Sequence, residues 1–339
     1  MKRTIRIALV DMWEGCPISF VARYFADEYE VMVDNVNPDI VFFSCFGLEH
    51  LKYEKAIKIF INGESMIPDF NDCDYSIGTV NIDFMGRSFW IPLSHWATGE
   101  NTLPVAEISR EAALNRNFCS FIYSQDTMGE GARKRKELCQ QLMKYKRVDC
   151  PGKILHNCDP EILSGRWDNN WMASKQTYCS GFKFAIAYEN YNLPGYMTEK
   201  LTDCYLANTV PIYCGSKGNV APYPKDSMIC VDDFTSIDEV IAKVKEIDED
   251  DDAYMAILNA NPLRNNEFDN GFTQGAQEFI RKIIEEGSPL FEGVRDLSVS
   301  HYCKRFIQAE NDPYFKKCRR IIEKLRKLKT QLRRVFKQG

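Results

Sequence analysis

The segment that most constrains the fold covers residues 184–215 and reads FAIAYENYNLPGYMTEKLTDCYLANTVPIYCG. An apolar run ends at Glu189, a polar loop follows, Thr198 opens a helical stretch, and a second apolar run ends at Cys214. Two apolar runs joined through a helix are typical of a βαβ unit, whose strands are parallel. Ligands of such units bind beyond the carboxyl ends of the strands, where helix N-termini favour anions.

Side chains of complementary chemistry gather at that place in the segment. They are an amide (Asn190), an aromatic ring (Tyr196), a carboxylate (Glu199) and a cation (Lys200). This set suits a sugar nucleotide, which has a diphosphate to neutralise, ribose hydroxyls to bind and a flat base to cover. A dehydrogenase is disfavoured, because the glycines at residues 129–131 do not complete the G-x-G-x-x-G fingerprint.

Apolar runs alternate with helical patterns over most of the chain. The predicted strands cover residues 5–10, 40–46, 56–62, 75–80, 118–124 and 228–231, and the predicted helices cover residues 18–29, 132–145 and 237–247. This alternation predicts parallel sheets covered by helices, in two halves joined around residues 97–117. With 339 residues, 45% of them hydrophobic, the chain is large enough for two cores facing a cleft.

Two further positions could carry chemistry. Glu64 follows the strand predicted at 56–62, where a carboxylate is placed like a catalytic group, although a surface turn is the simpler explanation. Arg133 and Arg135 lie in the first turn of the helix predicted at 132–145, where cations oppose the helix dipole. A phosphate bound between them would explain the placement, and a solvated helix face is the alternative.

No metal site is predicted. The sequence Asp72-Cys73-Asp74 matches the D-x-D of metal-dependent sugar transferases, but it lies away from the presumed phosphate site and is interpreted as a structural turn. The thirteen cysteines include no C-x-x-C pair, so reduced and mostly buried thiols are expected.

The C-terminal tail differs in charge from the rest of the chain. Residues 304–339 carry 13 Lys or Arg against three acidic residues, although the whole chain has a net charge of −5. Apolar residues recur there at three- and four-residue steps: Cys318, Ile321, Leu325, Leu328, Leu332 and Val335. A basic amphipathic helix is predicted. Residues 314–337 could contact an anionic membrane, a second copy of the chain or its own acidic body.

Other classes of partner and location are less favoured. An acidic body disfavours nucleic acid as a partner. Because no 18-residue apolar run and no secretory signal occur, the protein is expected to be cytoplasmic, with peripheral contact at the inner face of the membrane left open.

Together these motifs resemble the α-1,3/4-fucosyltransferases, glycosyltransferase family 10, and in particular its bacterial branch. The donor signature of that family corresponds to EN at 189–190, YMTEK at 196–200 and VPIYCG at 210–215. The similarity continues upstream at 118–149 and downstream at 227–234 and 253–263. In the first half it includes NGES at 62–65, DYSIG at 74–78 and IPL at 91–93.

The resemblance implies an α/β GT-B fold, with two Rossmann-like domains facing a cleft. Residues 1–115 would bind the acceptor, residues 116–300 would bind GDP-fucose, and residues 301–339 would form the basic tail. The implied reaction is inverting transfer of L-fucose from GDP-β-L-fucose to a GlcNAc-containing glycan such as N-acetyllactosamine. The linkage would be α-1,3 or α-1,4, as in Lewis-type surface glycans.

The same resemblance implies roles for individual residues. Glu64 would be the catalytic base, and Arg135 rather than Arg133 would bind the diphosphate together with Lys200. The donor-binding residues would be Arg135, Asn190, Tyr196, Thr198, Glu199 and Lys200. Of these, Glu199 would bind the ribose and Thr198 would open the helix. Asn190 and Tyr196 would orient the pyrophosphate and cover the nucleotide. No cofactor is required, and stimulation by a divalent cation is left open. The alternatives are a transferase for another GDP-sugar, such as GDP-mannose, or a non-catalytic sugar-nucleotide-binding protein.

Overall fold

A computed structural model describes residues 2–93, 95, 105, 107–127, 129–165, 168, 170–221, 223–265 and 271–287, and residues 313–325 except 315, 319 and 323. Its strands are β1 (Arg3–Val10), β2 (Tyr29–Val33), β3 (Ile40–Phe43), β4 (Ile57–Asn62), β5 (Tyr75–Gly78), β6 (Ser88–Trp90), β7 (Asn117–Ser120), β8 (Val148–Asp149), β9 (Phe182–Tyr188), β10 (Val210–Cys214) and β11 (Ile229–Cys230). Its helices are α1 (Ser19–Ala22), α2 (Arg110–Leu114), α3 (Gly129–Leu142), α4 (Trp171–Cys179), α5 (Glu199–Leu206), α6 (Ile237–Glu249), α7 (Asp251–Asn259) and α8 (Phe272–Glu286).

The strands form two separate parallel sheets, as the sequence predicts. The first has the order β2-β1-β3-β4-β5-β6 and the second the order β11-β10-β9-β7-β8. Every residue of β3, β4 and β9 is buried, because helices or loops cover both faces of a parallel sheet and leave no side for water. This is the α/β, two-sheet architecture expected of a GT-B protein.

In the second sheet, helices pack on both faces. Leu138 of α3 and Val244 of α6 join one apolar cluster, whereas Leu201 and Tyr205 of α5 join the cluster on the opposite face. Strand β9 contributes alternate residues to each, since successive side chains of a strand point to opposite faces. As a result, β9 and α5 are held rigidly at the centre of this domain.

Helix α8 connects the chain back to the first sheet. Its apolar residues Ala276, Ile280, Ile283 and Ile284 are buried in the same cluster as β1, β3 and β4. The resemblance in sequence implies instead that this segment belongs to the second domain, residues 116–300. The packing differs because the spacing of these four residues forms one apolar stripe, and the first sheet has a face that the four-residue helix α1 covers incompletely.

The N-terminal helix predicted over residues 18–29 is much shorter than expected. It is helical only from Ser19 to Ala22, and the unpredicted strand β2 follows. Strand β2 pairs with β1 in the register Ile5–Val31, so the chain has to be extended from Tyr29 onward. Pairing at the edge of the sheet therefore limits how far a helix that begins at Ser19 can extend. Strands β6 and β8 and helix α4 were also not predicted.

The described part of the tail is helical. Most of the predicted amphipathic helix lies outside the described residues, so the helix and its three candidate partners stay predictions. None of the helices in the described ranges is long and apolar enough to cross a membrane.

A buried histidine lies between two carboxylates beside the first sheet. His50 is 2% exposed, stacks on Phe43 at a ring-centroid distance of 3.9 Å, and contacts Asp11 through Nδ1 at 2.6 Å and Asp72 through Nε2 at 2.7 Å. Burial lowers the pKa of His50, but the hydrogen bonds to Asp11 and Asp72 outweigh it, and the pKa lies above its ordinary value. The two carboxylates therefore favour the protonated ring in the folded state.

This arrangement predicts a pH dependence of stability. A raised folded-state pKa contributes stability that is fully present below the unfolded value, about 6.5, and is lost as pH rises through the folded value. The free energy of unfolding of the wild type should therefore decrease from pH 6 to pH 9, measured by urea titration. The variant His50→Gln should lose most of that dependence. Equal slopes for the two proteins would contradict the assignment.

Candidate active site

The second sheet contains a reversal of strand order at β7. From β7 the chain continues to β8 on one side and then to β9 on the other, so the loops leaving β7 and β9 diverge. Such a switch point leaves a crevice at the carboxyl ends of the strands. A cavity of about 1050 Å³ opens at this place, and its walls include Gln125, Arg135, Lys175, Asn190, Glu199 and Lys200.

Arg135 fastens the two diverging loops together. Its Nη1 donates to Asn190 Oδ1 at 2.7 Å and its Nη2 to the carbonyl of Gln125 at 2.7 Å, while the guanidinium carbon lies 3.9 Å from the centre of the Tyr123 ring. Arg135 is 2% exposed, and its Nε is buried without a hydrogen-bond partner among the described residues. Arg133 is exposed on the same helix. Of the two arginines, Arg135 is the one in the cavity wall.

Helix α3 approaches the end of β9 so closely that a glycine is needed. A Cβ on Gly131 would lie 2.1 Å from the carbonyl oxygen of Glu189 and 2.8 Å from that of Asn190. Both obstacles are backbone atoms, which cannot rotate away as side chains do. The close approach brings Arg135, one turn later, to the strand ends.

Substituting Gly131 with alanine is expected to destabilise the fold by about 1–3 kcal/mol, the usual cost of overpacking. Urea titration would measure it. Gly181→Ala is the matched control, because a Cβ there would meet its nearest neighbour, the Tyr178 carbonyl, at 3.4 Å. Equal stability of the two variants would show that α3 can shift without cost.

The N-terminus of α5 forms the opposite wall of the cavity. Thr198 is the N-cap, and its side chain accepts from Lys200 N at 3.4 Å. Lys200 Nζ donates to Thr198 Oγ1 at 2.9 Å and pairs with Glu189 Oε2 at 3.1 Å and Glu199 Oε1 at 3.4 Å. Burial lowers the pKa of Lys200, but Glu189 and Glu199 outweigh it and raise the pKa. The cavity therefore presents a charged ammonium beside a helix N-terminus.

Glu199 is the one carboxylate of this wall with substantial access to solvent; its side chain is 39% exposed. Desolvation raises its pKa, but the charges of Lys200 and Lys175 outweigh it and lower the pKa to about 2. Glu199 is thus ionised at neutral pH and can accept hydrogen bonds from hydroxyl groups.

Lys175 is a cavity residue that the sequence analysis missed. It lies on α4, pairs with Asp203 Oδ2 at 2.7 Å, and lines the cavity together with Trp171 and Cys179. These three residues are spaced by four, so they share one face of the helix. That spacing was visible in the sequence WMASKQTYC, but without strong apolar periodicity the helix itself was not recognised.

Three predicted site residues are not lining residues of the cavity: Glu64, Tyr196 and Thr198, which is 2% exposed behind the wall. Glu64 follows β4 in the first domain, is exposed, and makes no side-chain hydrogen bond or ion pair with the described residues. Tyr196 is 5% exposed, a position that does not fit its predicted role of covering the nucleotide. Burial and Glu189 raise the pKa of Tyr196, and the negative charge of Glu64 adds to that rise. The charge of Glu64 therefore acts on a residue of the loop that leads into α5.

That loop also contacts the first domain directly. The backbone N–H of Asn81 donates to the Pro194 carbonyl at 2.7 Å, and Trp90 Nε1 donates to the Gly195 carbonyl at 3.1 Å. Gly195 has φ of 74° and leaves no room for a Cβ, which would lie 2.5 Å from Asn81 Cβ. The loop from β9 to α5 thus joins the cavity to the domain that carries Glu64.

The D-x-D sequence is part of the structure of the first domain. Asp72 contacts His50, and Asp74, which is fully buried, accepts from the backbone N–H of Lys58 at 2.8 Å. Within the described ranges, no group of three or more His, Cys, Asp or Glu is arranged to hold a metal ion.

Comparisons with known proteins match both halves of the chain. A model of the "Alpha-(1,3)-fucosyltransferase FucT N-terminal domain" matches residues 7–97, and the "Glycosyltransferase family 10 (fucosyltransferase) C-term" model matches residues 116–260. The chain is 28% identical over 302 residues to alpha-(1,3)-fucosyltransferase FucT of Helicobacter pylori, covering 76% of this chain and 60% of that protein. It thus spans about three fifths of the length of that relative.

A shorter sequence match and two structural matches are also to fucosyltransferases. A mouse 4-galactosyl-N-acetylglucosaminide 3-alpha-L-fucosyltransferase 9 is 39% identical over 79 residues, 23% of this chain and 22% of that protein. A crystal structure of alpha1,3-fucosyltransferase superposes with a TM-score of 0.67 at 26% identity. A structure described as alpha1,3-fucosyltransferase with GDP-fucose has a TM-score of 0.64 at 23% identity. Each covers 84% of this chain and 91% of the matched chain.

Proposed function

The chain belongs to glycosyltransferase family 10, the fucosyltransferases, and we propose that it transfers L-fucose from GDP-β-L-fucose to a GlcNAc residue of an acceptor glycan. The observation that carries this proposal is the cavity at the strand ends of the second sheet. It combines Arg135, Lys200 and the N-terminus of α5 with an ionised carboxylate, Glu199. Such a set complements a diphosphate and ribose hydroxyls in one ligand.

In this proposal the donor lies with its diphosphate between α3 and α5. Lys200 and the first turn of α5 would face the phosphates together with Arg135, which lines the same cavity. Glu199 would accept hydrogen bonds from the ribose. Lys175 adds a third positive charge to the same cavity, although its ion pair with Asp203 reduces what it can offer the ligand.

The chemical step would be a single in-line displacement. Glu64 takes the proton of an acceptor hydroxyl, the hydroxyl oxygen forms a bond to C1 of fucose, and the bond from C1 to the diphosphate oxygen breaks. The products are an α-L-fucoside and GDP, and the configuration at C1 inverts. A general base in such a position contributes about 10²- to 10⁴-fold to the rate.

Negative charge grows on the departing diphosphate as this bond breaks. Fixed positive groups stabilise that charge best when they are already oriented and partly shielded from water. Lys200, with its side chain 16% exposed, and Arg135, 2% exposed, meet this condition.

The proposed acceptor is a β-galactosyl-GlcNAc unit of the N-acetyllactosamine type, fucosylated in α-1,3 linkage. The names of the matched Helicobacter and mouse enzymes support the linkage, and the name of the mouse enzyme supports the acceptor. Such products are Lewis-type glycans. Contact of residues 314–337 with an anionic membrane at the cytoplasmic face is part of the same proposal.

The test is incubation of the full chain with N-acetyllactosamine and either GDP-fucose or GDP-mannose. A product heavier by one deoxyhexose with GDP-fucose, and its linkage by NMR, would support the proposal. Transfer from GDP-mannose instead would favour the other GDP-sugar reading. Binding of GDP without transfer to any glycan of a panel would favour a non-catalytic protein.

A further inference from the structure

A second carboxylate lies directly behind the cavity wall and has no role in the mechanism above. Glu189 directly follows strand β9 and is 1% exposed. It is not a lining residue of the cavity. Burial raises the pKa of Glu189, and the charge of Lys200 and the hydrogen bonds from Thr198 oppose that rise. A buried carboxylate is costly unless hydrogen bonds and a cation compensate it, so its partners indicate what it does.

In the described structure, the side-chain carboxylate of Glu189 contacts the N-cap and the first turn of α5. Glu189 Oε1 accepts from Thr198 N at 2.7 Å and from Thr198 Oγ1 at 2.8 Å, and Oε2 lies 2.8 Å from the same hydroxyl. Lys200 Nζ lies 3.1 Å from Oε2. One carboxylate thus fixes both the N-cap residue and the ammonium that faces the cavity.

Glu189 itself is held from three sides. Its backbone N–H donates to the Cys214 carbonyl at 2.9 Å, which continues the pairing of β9 with β10. A Cβ on Gly215 would lie 2.7 Å from Glu189 Cγ, and a Cβ on Gly131 would lie 2.1 Å from its carbonyl oxygen. Both glycines allow the surrounding backbone to close on this residue. The carboxylate is therefore a rigid reference point between the sheet and α5.

We propose that Glu189 is a positioning residue that holds Lys200 and the Thr198 cap of α5 in the geometry that binds the donor diphosphate. The inference rests on the proposed donor site and adds a residue that acts through Lys200 without touching the ligand. The electrostatics of Lys200 support this role, because burial lowers the pKa of Lys200 and Glu189 is the main group that raises it. Without Glu189, Lys200 would have to be ordered by the ligand itself.

A double-mutant cycle tests whether Glu189 acts through Lys200. The proteins are wild type, Glu189→Gln, Lys200→Ala and the double variant, each measured for GDP affinity by calorimetry and for fucosyl transfer. Glutamine keeps an acceptor for the Thr198 N–H but removes the charge. In the wild-type background we expect GDP binding to weaken about 2- to 12-fold, the usual effect of having to immobilise one long side chain. We expect kcat/KM for the donor to fall about 10- to 100-fold, because small misplacements at a reacting centre have large effects.

In the Lys200→Ala background the same substitution should change both quantities less than twofold. Effects that simply add in the two backgrounds would overturn the proposal and leave Glu189 a structural residue. A GDP stoichiometry near one in each variant shows that the measured molecules are folded. If Glu189→Gln does not fold, Glu189→Asp, which keeps the charge but shortens the reach, takes its place in the cycle.

Asp248→Asn is the matched control. Asp248 is also a buried carboxylate, 1% exposed in its side chain, and pairs with Lys146 and Lys183 away from the cavity. This substitution should lower stability without changing GDP affinity. If the two substitutions have non-additive effects on GDP affinity but the wild type transfers no fucose, the role of Glu189 is upheld and the proposed reaction is rejected. If the wild type transfers fucose but the effects of the two substitutions are additive, the reaction is upheld and the role of Glu189 is rejected.

Discussion

Substituting Glu64 with glutamine is expected to lower kcat with GDP-fucose and N-acetyllactosamine about 10²- to 10⁴-fold, the range that a general base contributes. Glutamine has nearly the same shape but cannot accept the proton of the attacking hydroxyl. Because Glu64 is exposed and its side chain contacts no described residue through a hydrogen bond or ion pair, the fold should be unaffected. The affinity for GDP should also be unchanged, since Glu64 is not in the cavity wall.

Glu54→Gln provides the comparison for this measurement. Glu54 is exposed near the amino end of the same strand, β4, and so tests the loss of one negative charge from the same domain. It should leave kcat within about twofold of the wild type, as for an ordinary surface substitution. Turnover of Glu64→Gln within threefold of wild type would remove Glu64 from the role of base.

Lys200→Ala should reduce donor affinity and turnover together. The ammonium would contact the diphosphate both in the bound donor and in the transition state, so its loss affects both. We expect GDP binding to weaken about 10- to 100-fold, the effect of one hydrogen bond to a charged group. We expect kcat to fall a further 10²- to 10³-fold, as for other preorganised donors to a developing anion. Calorimetry with GDP and initial rates with GDP-fucose measure the two effects separately.

Lys134→Ala controls for the loss of a lysine from the same domain. Lys134 is exposed on α3 and pairs with Glu130 one turn earlier at 2.8 Å, a surface pair of small energetic value. Its substitution should leave GDP affinity unchanged. Unaltered GDP binding in Lys200→Ala would show instead that Lys200 serves the structure of α5 and that another cation holds the diphosphate.

Local sequence was sufficient to predict the centre of the second domain. The run from β9 through α5 to β10 was recognised because two apolar strands, a threonine cap and a helix occur within one short segment. The strand after β10 and helix α6 were predicted for the same reason. Contacts within this segment are close in sequence, so local pattern and final structure agree.

The sequence was less informative where distant segments compete for the same surface. Helix α8 has an evident apolar stripe, but nothing in the stripe specifies which of the two sheets it covers. Strand β2 was not predicted because its pairing with β1 lies outside the local pattern. Lys175 was overlooked because its importance depends on Asp203 and Glu199, which approach it only after α4 and α5 pack together.

Glu189 illustrates the difference between what the sequence determines and what only the tertiary structure determines. Its motif identified it as part of the donor segment, together with Asn190, Thr198, Glu199 and Lys200, because residue types and their order are properties of the chain alone. Which of these carboxylates faces the ligand and which stands behind the lysine depends on burial and direction. The burial and direction of each side chain follow from the close packing of α3 and β10 on the end of β9. They depend on residues that are distant in sequence, so the sequence pattern alone does not predict them.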